Sequence, residues 1–343
     1  MPIDTKNPAE KVKTILADLA TKFIITNKPT DRIITADSEV QIIDLAKDWS
    51  TISAAQTETI LPVVTPQNLA YIIYTSGSTG TPNGVMVNHD CLNLRMAGEI
   101  DLLNLDENLV SFFMTNYAFD TSLLEIFLPI VLGGSMVIPN EEDIYDSQGL
   151  LDTIVSSQVT ILQGTPGRLL GFVEVMTNDQ AAHIKLQHIC VGGESLTKTI
   201  VERINEKLPQ TQLNNHYGPT ETTIDAIVNQ NVVEFEKNVI GKPCPNSRIY
   251  IVDEQNNLVS QGVVGEILIG GGVANGYWKR PEKTAVKFIK SPFNSGKKEI
   301  LFKTGDLARW LPDGNIEFIG RKDDQIKIRG FRIELGEIEA TLN

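Results

Sequence analysis

The fold is constrained most by an alternation between short apolar runs and segments whose apolar residues recur at helical spacing. Such alternation places a helix between successive strands, so it predicts an α/β fold with layered, mostly parallel sheets covered by helices. The strand-like runs are 70–74, 109–113, 135–138, 159–162, 188–191 and 212–215. The helical patterns are 123–132, 149–156, 166–176 and 198–208.

The first residues show the same pattern more weakly. Asn7 and Pro8 predict an N-cap and a first helical position, and apolar residues at helical spacing follow them. The run 23–25 predicts a buried strand and 32–35 a weaker one, whereas 38–67 is typical of a surface connection.

Beyond residue 227 the predicted strands come close together, with turn residues between them. Strands 248–252 and 265–269 flank one turn, and strands 307–310 and 315–319 flank Pro-Asp-Gly at 312–314. This spacing predicts a small antiparallel β unit.

The composition excludes several classes of protein. A chain of 343 residues with 41% hydrophobic residues can bury a large core, and its net charge of -13 argues against nucleic acid as a partner. Cys91, Cys190 and Cys244 form no CxxC pair, so neither a disulfide framework nor a zinc site is predicted. No segment resembles a signal peptide or a membrane span, so we expect a cytoplasmic protein with no membrane partner.

A loop rich in glycine and hydroxyl residues follows the first predicted strand of the alternating region. Residues 74–84 read Tyr-Thr-Ser-Gly-Ser-Thr-Gly-Thr-Pro-Asn-Gly. The glycines let backbone N–H groups turn toward an anion, and the hydroxyls add donors, so the loop suits phosphate. No Gly-Lys-Ser/Thr opens a helix here, so it is not a Walker loop.

This loop and several later segments resemble an amino-acid adenylation domain of a nonribosomal peptide synthetase, a member of the adenylate-forming superfamily. The segments occur in the family's order over nearly the whole chain, which chance does not explain. They are 74–84, 116–122, 215–221, 265–282, 303–306 and 320–330.

The resemblance implies a reaction in which a carboxylate attacks the α-phosphate of Mg-ATP, pyrophosphate leaves, and the aminoacyl adenylate passes to a carrier-protein thiol. It implies ATP and Mg²⁺ as cofactors, an amino acid as substrate, and peptidyl carrier and condensation domains as neighbours. It also divides the chain. Residues 1–226 would bind nucleotide and substrate, 227–319 would be the β-rich remainder of the large subdomain, and 320–343 would hold the hinge and the start of a mobile C-terminal subdomain that is mostly absent.

The resemblance assigns roles on the nucleotide side. Glu221 would help to bind Mg²⁺, Tyr217 would stack on adenine, and Asp306 would accept hydrogen bonds from the ribose hydroxyls, with Arg321 beside it. Alternatively, Glu221 is a solvated loop acid, Tyr217 only packs in the core, and Asp306 and Arg321 form a surface ion pair. Asp323 would be the hinge residue. The other residues expected to bind nucleotide are Thr75, Ser76, Gly77, Ser78, Thr79, Gly80, Gly193, Glu194, Asn215, Gly218 and Thr220, with Thr75, Thr220 and Glu221 acting in catalysis.

Asp120 gives the sharpest substrate prediction. In the family, the matching acid holds the substrate's α-ammonium group, and such a charge-assisted hydrogen bond would select an amino acid over a fatty acid. The alternative is that Asp120 only caps the next helix. The family's side-chain pocket maps onto Thr121, Leu124, Gln163, Cys190, Gly192, His216, Ile224 and Asp225. Its polar members favour a polar or basic substrate side chain, unless they satisfy one another or bind water.

The sequence departs from the family in two places. Pro82-Asn83-Gly84 stands where the family usually has Pro-Lys-Gly, so either phosphate affinity is lower or another basic residue substitutes. Asn343 comes before the family's near-terminal lysine, so we expect this polypeptide by itself to be weakly active or inactive. An excised piece and a domain interrupted by an insert both fit that end.

Two other functions remain open. An acyl- or aryl-CoA ligase shares the fold, although Asp120 and the match over 321–339 favour amino-acid activation. A non-catalytic nucleotide-binding or interaction module is favoured by Asn83 and by the absence of the lysine.

Overall fold

The computed structural model describes residues 1–27, 40–55, 62–77, 81–236, 238–293, 299–328 and 330–333. Helices follow most of the helical patterns of the sequence. The helices are α1 Ala9–Leu19, α2 Trp49–Ala54, α3 His89–Leu103, α4 Ser122–Leu132, α5 Glu141–Tyr145, α6 Ser147–Ser156, α7 Pro166–Val175, α8 Asn178–His183, α9 Lys198–Lys207 and α10 Pro281–Lys287, with a 3₁₀ helix at Thr220–Thr222.

Most of the strands join one large twelve-stranded sheet. The strands are β1 Phe23–Thr26, β2 Gln41–Asp44, β3 Leu69–Thr75, β4 Asn83–Asn88, β5 Val110–Phe112, β6 Ser135–Val137, β7 Ile161–Gly164, β8 His188–Gly192, β9 Gln212–Tyr217, β10 Ile227–Asn229, β11 Val239–Pro243, β12 Arg248–Val252, β13 Gly265–Gly270, β14 Phe288–Lys290, β15 Ile300–Trp310, β16 Ile316–Arg321, β17 Ile326–Ile328 and β18 Phe331–Ile333. The large sheet runs in the order β12-β13-β15-β16-β11-β10-β9-β8-β7-β5-β6, and β14 pairs with β15.

One half of the large sheet is parallel and is covered by helices on both faces. β6, β5, β7, β8 and β9 pair in parallel. On one face, Leu151 of α6, Phe172 of α7 and Ile204 of α9 are fully buried in one core cluster. On the other face, residues of α3 and α4 form a second cluster with Ile161. Burial stabilises the fold by about 1.5–3 kcal/mol for each side chain of this kind, which favours the packing of helices on both faces of the sheet. The predicted layered α/β architecture is confirmed.

The antiparallel strands continue this sheet and do not form a separate unit. β10 pairs antiparallel with both β9 and β11, and β11 pairs with β16. This pairing satisfies the backbone groups along the edge of β9, which would otherwise lie open at the end of the parallel half. The division at 226/227 and 319/320 stays a prediction.

The first residues differ from the prediction in three ways. Helix α1 begins at Ala9 with Pro8 in the cap position and no side-chain cap, so Asn7 is not the N-cap. β1 forms, but Phe23 and Ile25 are 60% and 67% exposed, so this strand is not buried. Region 38–67 is more than a connection because it contains β2 and α2. The candidate strand 32–35 lies outside the described residues.

The strands on either side of the phosphate loop form a hairpin, a helix follows it, and the sequence patterns missed both. β4 pairs antiparallel with β3, so the run 70–74 belongs to a hairpin and not to the parallel sheet. Helix α3 begins after Asn88, whose side chain accepts the Cys91 N–H at 2.8 Å. The charged residues Arg95 and Glu99 are buried inside this helix, at 4% and 1% exposure, and they break the apolar stripe that a helix prediction needs.

Candidate functional site

A cleft of about 2580 Å³ lies beyond the carboxyl ends of β7, β8 and β9 and extends to β15 and β16. In open α/β sheets this edge is the usual place for a ligand. Most of the residues predicted to bind nucleotide or substrate line this one cleft. They are Thr75, Ser76, Asp120, Thr121, Gln163, Cys190, Gly192, Gly193, Glu194, Asn215, His216, Tyr217, Gly218, Thr220, Ile224, Asp225, Asp306, Arg321 and the hinge residue Asp323.

Three predicted residues are placed differently. Leu124 is 1% exposed and packs in the core cluster that α3 and α4 form. Gly77 packs against the backbone of Thr81, where an added Cβ would come within 2.2 Å of the carbonyl oxygen, so this position requires glycine. Glu221 is fully buried behind the cleft wall. Ser78, Thr79 and Gly80 lie outside the described residues.

Asp306 is the centre of a hydrogen-bond network at the end of the cleft that was predicted to bind nucleotide. Its Oδ2 accepts the hydroxyl of Tyr217, and its Oδ1 accepts the Arg321 Nη1 donor at 2.5 Å. Arg321 lies directly opposite Asp306 in the β15–β16 pairing, and it also donates to Asp323 from Nε at 2.6 Å. The carboxylate is therefore fixed in place beside an aromatic ring. Such an acceptor next to a flat face suits a ribose that carries an aromatic base.

Glu221 forms the metal end of the predicted site. Its Oε1 accepts the Tyr277 hydroxyl at 2.8 Å, and the Arg332 Nη1 lies 3.1 Å from both carboxylate oxygens. Burial alone would raise the pKa of Glu221, but the Arg332 guanidinium outweighs it and holds the pKa below its usual value. The ionised carboxylate is a hard ligand of the kind that Mg²⁺ prefers, but both of its oxygens face Arg332, so Glu221 would hold this ion only where the ion replaces that contact.

Asp120 lies in the turn between β5 and α4, with its carboxylate inside the cleft. Its Oδ1 accepts the Thr121 N–H at 3.1 Å, while Oδ2 is buried without a hydrogen-bond partner among the described residues. No side chain caps α4, so the capping alternative does not explain this acid. Burial, with the nearby charge of Asp225, raises the pKa of Asp120 to about 6. A buried acceptor of this kind is satisfied when a cationic donor binds to it.

The mapped side-chain pocket contains a buried acid–histidine cluster. His216 Nδ1 lies 3.1 Å from Asp225 Oδ2 and 3.7 Å from Glu99 Oε1. Burial opposes protonation of His216, but Cys190, Glu99 and Asp225 raise its pKa well above the ordinary value. Burial raises the pKa of Glu99. The predicted alternative, in which pocket residues satisfy one another, therefore holds for His216 Nδ1 and Asp225 Oδ2, whereas His216 Nε2 is buried without a partner among the described residues.

Glu99 is a residue of this site that sequence reasoning missed. It comes from α3, which no pattern predicted, and its Oε2 is buried without a partner among the described residues. The ligand atoms of Glu99, Cys190 and His216 lie within 4.8 Å of one another. The only sequence signal was a pair of charges four residues apart, Arg95 and Glu99, and such pairs are more common on exposed helix faces.

The comparisons with known proteins agree with this geometry. The family model for AMP-binding enzymes matches residues 1–278. The chain belongs to this family. Tyrocidine synthase 3 of Brevibacillus parabrevis is 38% identical over the whole chain, which spans only 5% of that synthase.

Two solved structures share the fold. NpsA-ThdA of Klebsiella oxytoca, an artificially fused adenylation–PCP di-domain, matches 99% of this chain and 67% of its own with a TM-score of 0.86 and 25% identity. The synthetase FmoA3, bound to alpha-methyl-L-serine-AMP, matches 94% of this chain and 36% of its own with a TM-score of 0.84 and 26% identity. The resemblance to adenylation domains of nonribosomal peptide synthetases is thus confirmed. None of the helices in the described ranges has the length and apolarity that a membrane crossing requires.

Proposed function

We propose that this chain is the large part of an adenylation domain that activates an amino acid with Mg-ATP and releases pyrophosphate. The observation that carries the proposal is the convergence of Asp120, Tyr217 and Asp306 on one cleft, with the Glu221 carboxylate behind its wall. These residues come from three separate segments of the chain, 116–122, 215–221 and 303–306. A carboxylate for an ammonium group, an aromatic face for a base and an acceptor for a ribose together form a site for an aminoacyl adenylate.

The proposed mechanism relies on positioning and charge neutralisation, since phosphoryl chemistry of this kind needs no covalent nucleophile. Asp120 would hold the α-ammonium and thereby aim the substrate carboxylate at the α-phosphate. Tyr217 and Asp306 would fix the adenosine. The hydroxyls of Thr75, Ser76 and Thr220 would donate to phosphate oxygens. Mg²⁺, held by Glu221, would neutralise phosphate charge.

The substrate is proposed to carry a polar or basic side chain. Gln163, His216 and Asp225 line the part of the cleft where that side chain would lie. His216 Nδ1 and Asp225 Oδ2 pair with each other, but His216 Nε2 is buried without a hydrogen-bond partner among the described residues. A plain aliphatic side chain would leave that nitrogen unpaired, which costs about 1–3 kcal/mol, whereas a polar side chain could pair with it. Glu99, behind His216, adds a second acid to the same wall.

Activation for transfer to a carrier-protein thiol is part of the proposal. It is supported by NpsA-ThdA, whose adenylation domain is fused to a PCP domain. Condensation domains as further neighbours, the hinge role of Asp323, and the division into residues 1–226, 227–319 and 320–343 stay predictions. So does low activity of this polypeptide by itself, which is tested by comparing its exchange rate with that of a longer polypeptide containing it.

The experiment that tests the function is ATP–pyrophosphate exchange across a panel of amino acids. Exchange that depends on a polar or basic amino acid supports the proposal, and exclusive activation of Leu or Val contradicts the assigned side chain. Exchange driven by fatty or aryl acids would favour an acyl- or aryl-CoA ligase. Asp120 Oδ2, which is buried without a partner among the described residues, argues against that alternative, because such acids have no ammonium group to pair with it.

Calorimetry distinguishes the proposed enzyme from a non-catalytic nucleotide-binding or interaction module. An active site of the proposed kind should bind a non-hydrolysable aminoacyl-adenylate analogue, whereas a module without this function should not.

A further inference from the structure

The phosphate loop lacks the lysine that its resemblance implies, and Asn83 stands in that place. The chain carries a net charge of -13, so an anionic triphosphate needs local cations to bind. Several cations near the cleft already face acids. Arg321 contacts Asp306 and Asp323, and Arg332 contacts Glu221.

Helix α10 brings another cation to the loop. The Lys283 Nζ lies 3.2 Å from Asn83 Oδ1, so the two side chains form a hydrogen bond across 200 residues of sequence. Asn83 pairs directly with Thr75 across the neck of the β3–β4 hairpin, and Thr75 lines the cleft. The ammonium group of Lys283 is therefore held at the base of the phosphate loop.

The placement of Lys283 is built into the backbone. The segment before α10 runs along β4 as an added strand, because the Met86 N–H donates to Gly276 O at 3.0 Å and the Trp278 N–H donates to Gly84 O at 2.8 Å. The Thr284 hydroxyl donates to Arg280 O at 2.8 Å and also accepts the Tyr277 N–H at 3.0 Å, which fixes the start of the helix to this segment. Helix and hairpin thus form one framework.

We propose that Lys283 supplies the positive charge that the phosphate loop lacks, and that Asn83 orients it toward the β- and γ-phosphates of ATP. This inference rests on the proposed function. A lysine carries a compact charge on a flexible stem, so its ammonium can reach from a neighbouring helix to the place where a loop lysine would lie. The amide oxygen of Asn83 accepts a hydrogen bond from this ammonium group and so orients it.

The test is calorimetric titration of the full chain with Mg-ATP in the absence of amino acid. Lys283→Met should weaken Mg-ATP binding by about 10- to 100-fold, the loss typical of a hydrogen bond to a charged group. Lys283→Arg, which keeps the charge, should stay within about threefold. The double variant Asn83→Lys with Lys283→Met should regain most of the affinity, because the charge then returns on the loop itself. Lys198→Met on α9, which removes a surface lysine paired with Glu202, is the matched control.

The outcomes separate the inference from the function. Unchanged affinity in Lys283→Met, or failure of the double variant to regain affinity while its thermal unfolding remains like that of the original chain, overturns the inference alone. No Mg-ATP binding by the original chain overturns the proposed function and the inference with it. Where exchange is measurable, the KM for ATP should rise in Lys283→Met while the KM for the amino acid stays the same, which a loss of fold would not produce.

Discussion

Replacing Asp120 with asparagine tests the substrate assignment most directly. The carboxylate is 8% exposed, accepts one backbone N–H, and has one buried oxygen without a partner among the described residues. Its pKa of about 6, against an ordinary value of 3.8, means that keeping it ionised without a bound cation costs about 3 kcal/mol. An ammonium group that binds there relieves this cost, whereas an asparagine amide offers no charge to the ammonium.

We therefore expect Asp120→Asn to lower kcat/KM for the amino acid by about 10²-fold, since removing one partner of a buried charge pair costs about 2–5 kcal/mol. The KM for ATP should change little. ATP–pyrophosphate exchange at varied amino-acid concentration measures the effect. Asp179→Asn, at an exposed side chain of α8, is the control and should leave exchange unchanged.

Two results would contradict this reasoning. If Asp120→Asn kept kcat/KM within about threefold, the ammonium would not bind at this carboxylate. If the original chain activated an amino acid and its deaminated analogue equally well, the acid would play no part in selection.

Three further predictions concern the carboxylates of Asp120, Asp306 and Glu125. Only ionised Asp120 can hold the ammonium, and its pKa is raised to about 6. The kcat/KM for the amino acid should therefore fall about tenfold per pH unit below pH 6 and level off above pH 7. The pH dependence of Mg-ATP binding is the control, and a kcat/KM profile without this fall would refute the role of the carboxylate. Asp306→Ala removes the acceptor of Tyr217 and Arg321 and should weaken Mg-ATP binding by about 10- to 100-fold in calorimetry, and affinity like that of the original chain would rule out the ribose contact. Glu125→Ala leaves the N–H groups of Met114 and Thr115 without their buried acceptor. It should lower the free energy of unfolding, measured by urea denaturation, by about 2–4 kcal/mol, and Glu125→Gln should lower it less. Equal losses in the two variants would show that the hydrogen-bond acceptor does not determine the stability.

The parallel half of the fold could be predicted from the sequence because most of its strands are short runs rich in apolar residues, separated by amphipathic helices. β7 and β8, for example, lie within two residues of the predicted runs 159–162 and 188–191. Four of the antiparallel strands, β12, β13, β15 and β16, were also found from their turns, whereas β10, β11 and β14 were not predicted. The connection of the antiparallel strands to β9 was not predicted either, because pairing between strands depends on which edge is left open, and edge exposure is a property of the folded sheet.

The candidate site was predictable where chemistry follows a local motif and was not where it depends on contacts between distant segments. Tyr217, Thr220 and Glu221 lie next to one another in the sequence, so one motif located all three. Glu99 acts on His216 from a helix that buries its charges, and hydrophobic periodicity cannot find a helix of that kind. Lys283 was missed for a related reason. At Asn83 the sequence left open a lower phosphate affinity or substitution by another basic residue, but nothing in it connects Asn83 with a lysine 200 residues away. The backbone hydrogen bonds between β4 and the segment before α10 bring Lys283 and Asn83 together. A missing lysine in a sequence motif therefore has to be judged against the cations that the folded chain places near the same position.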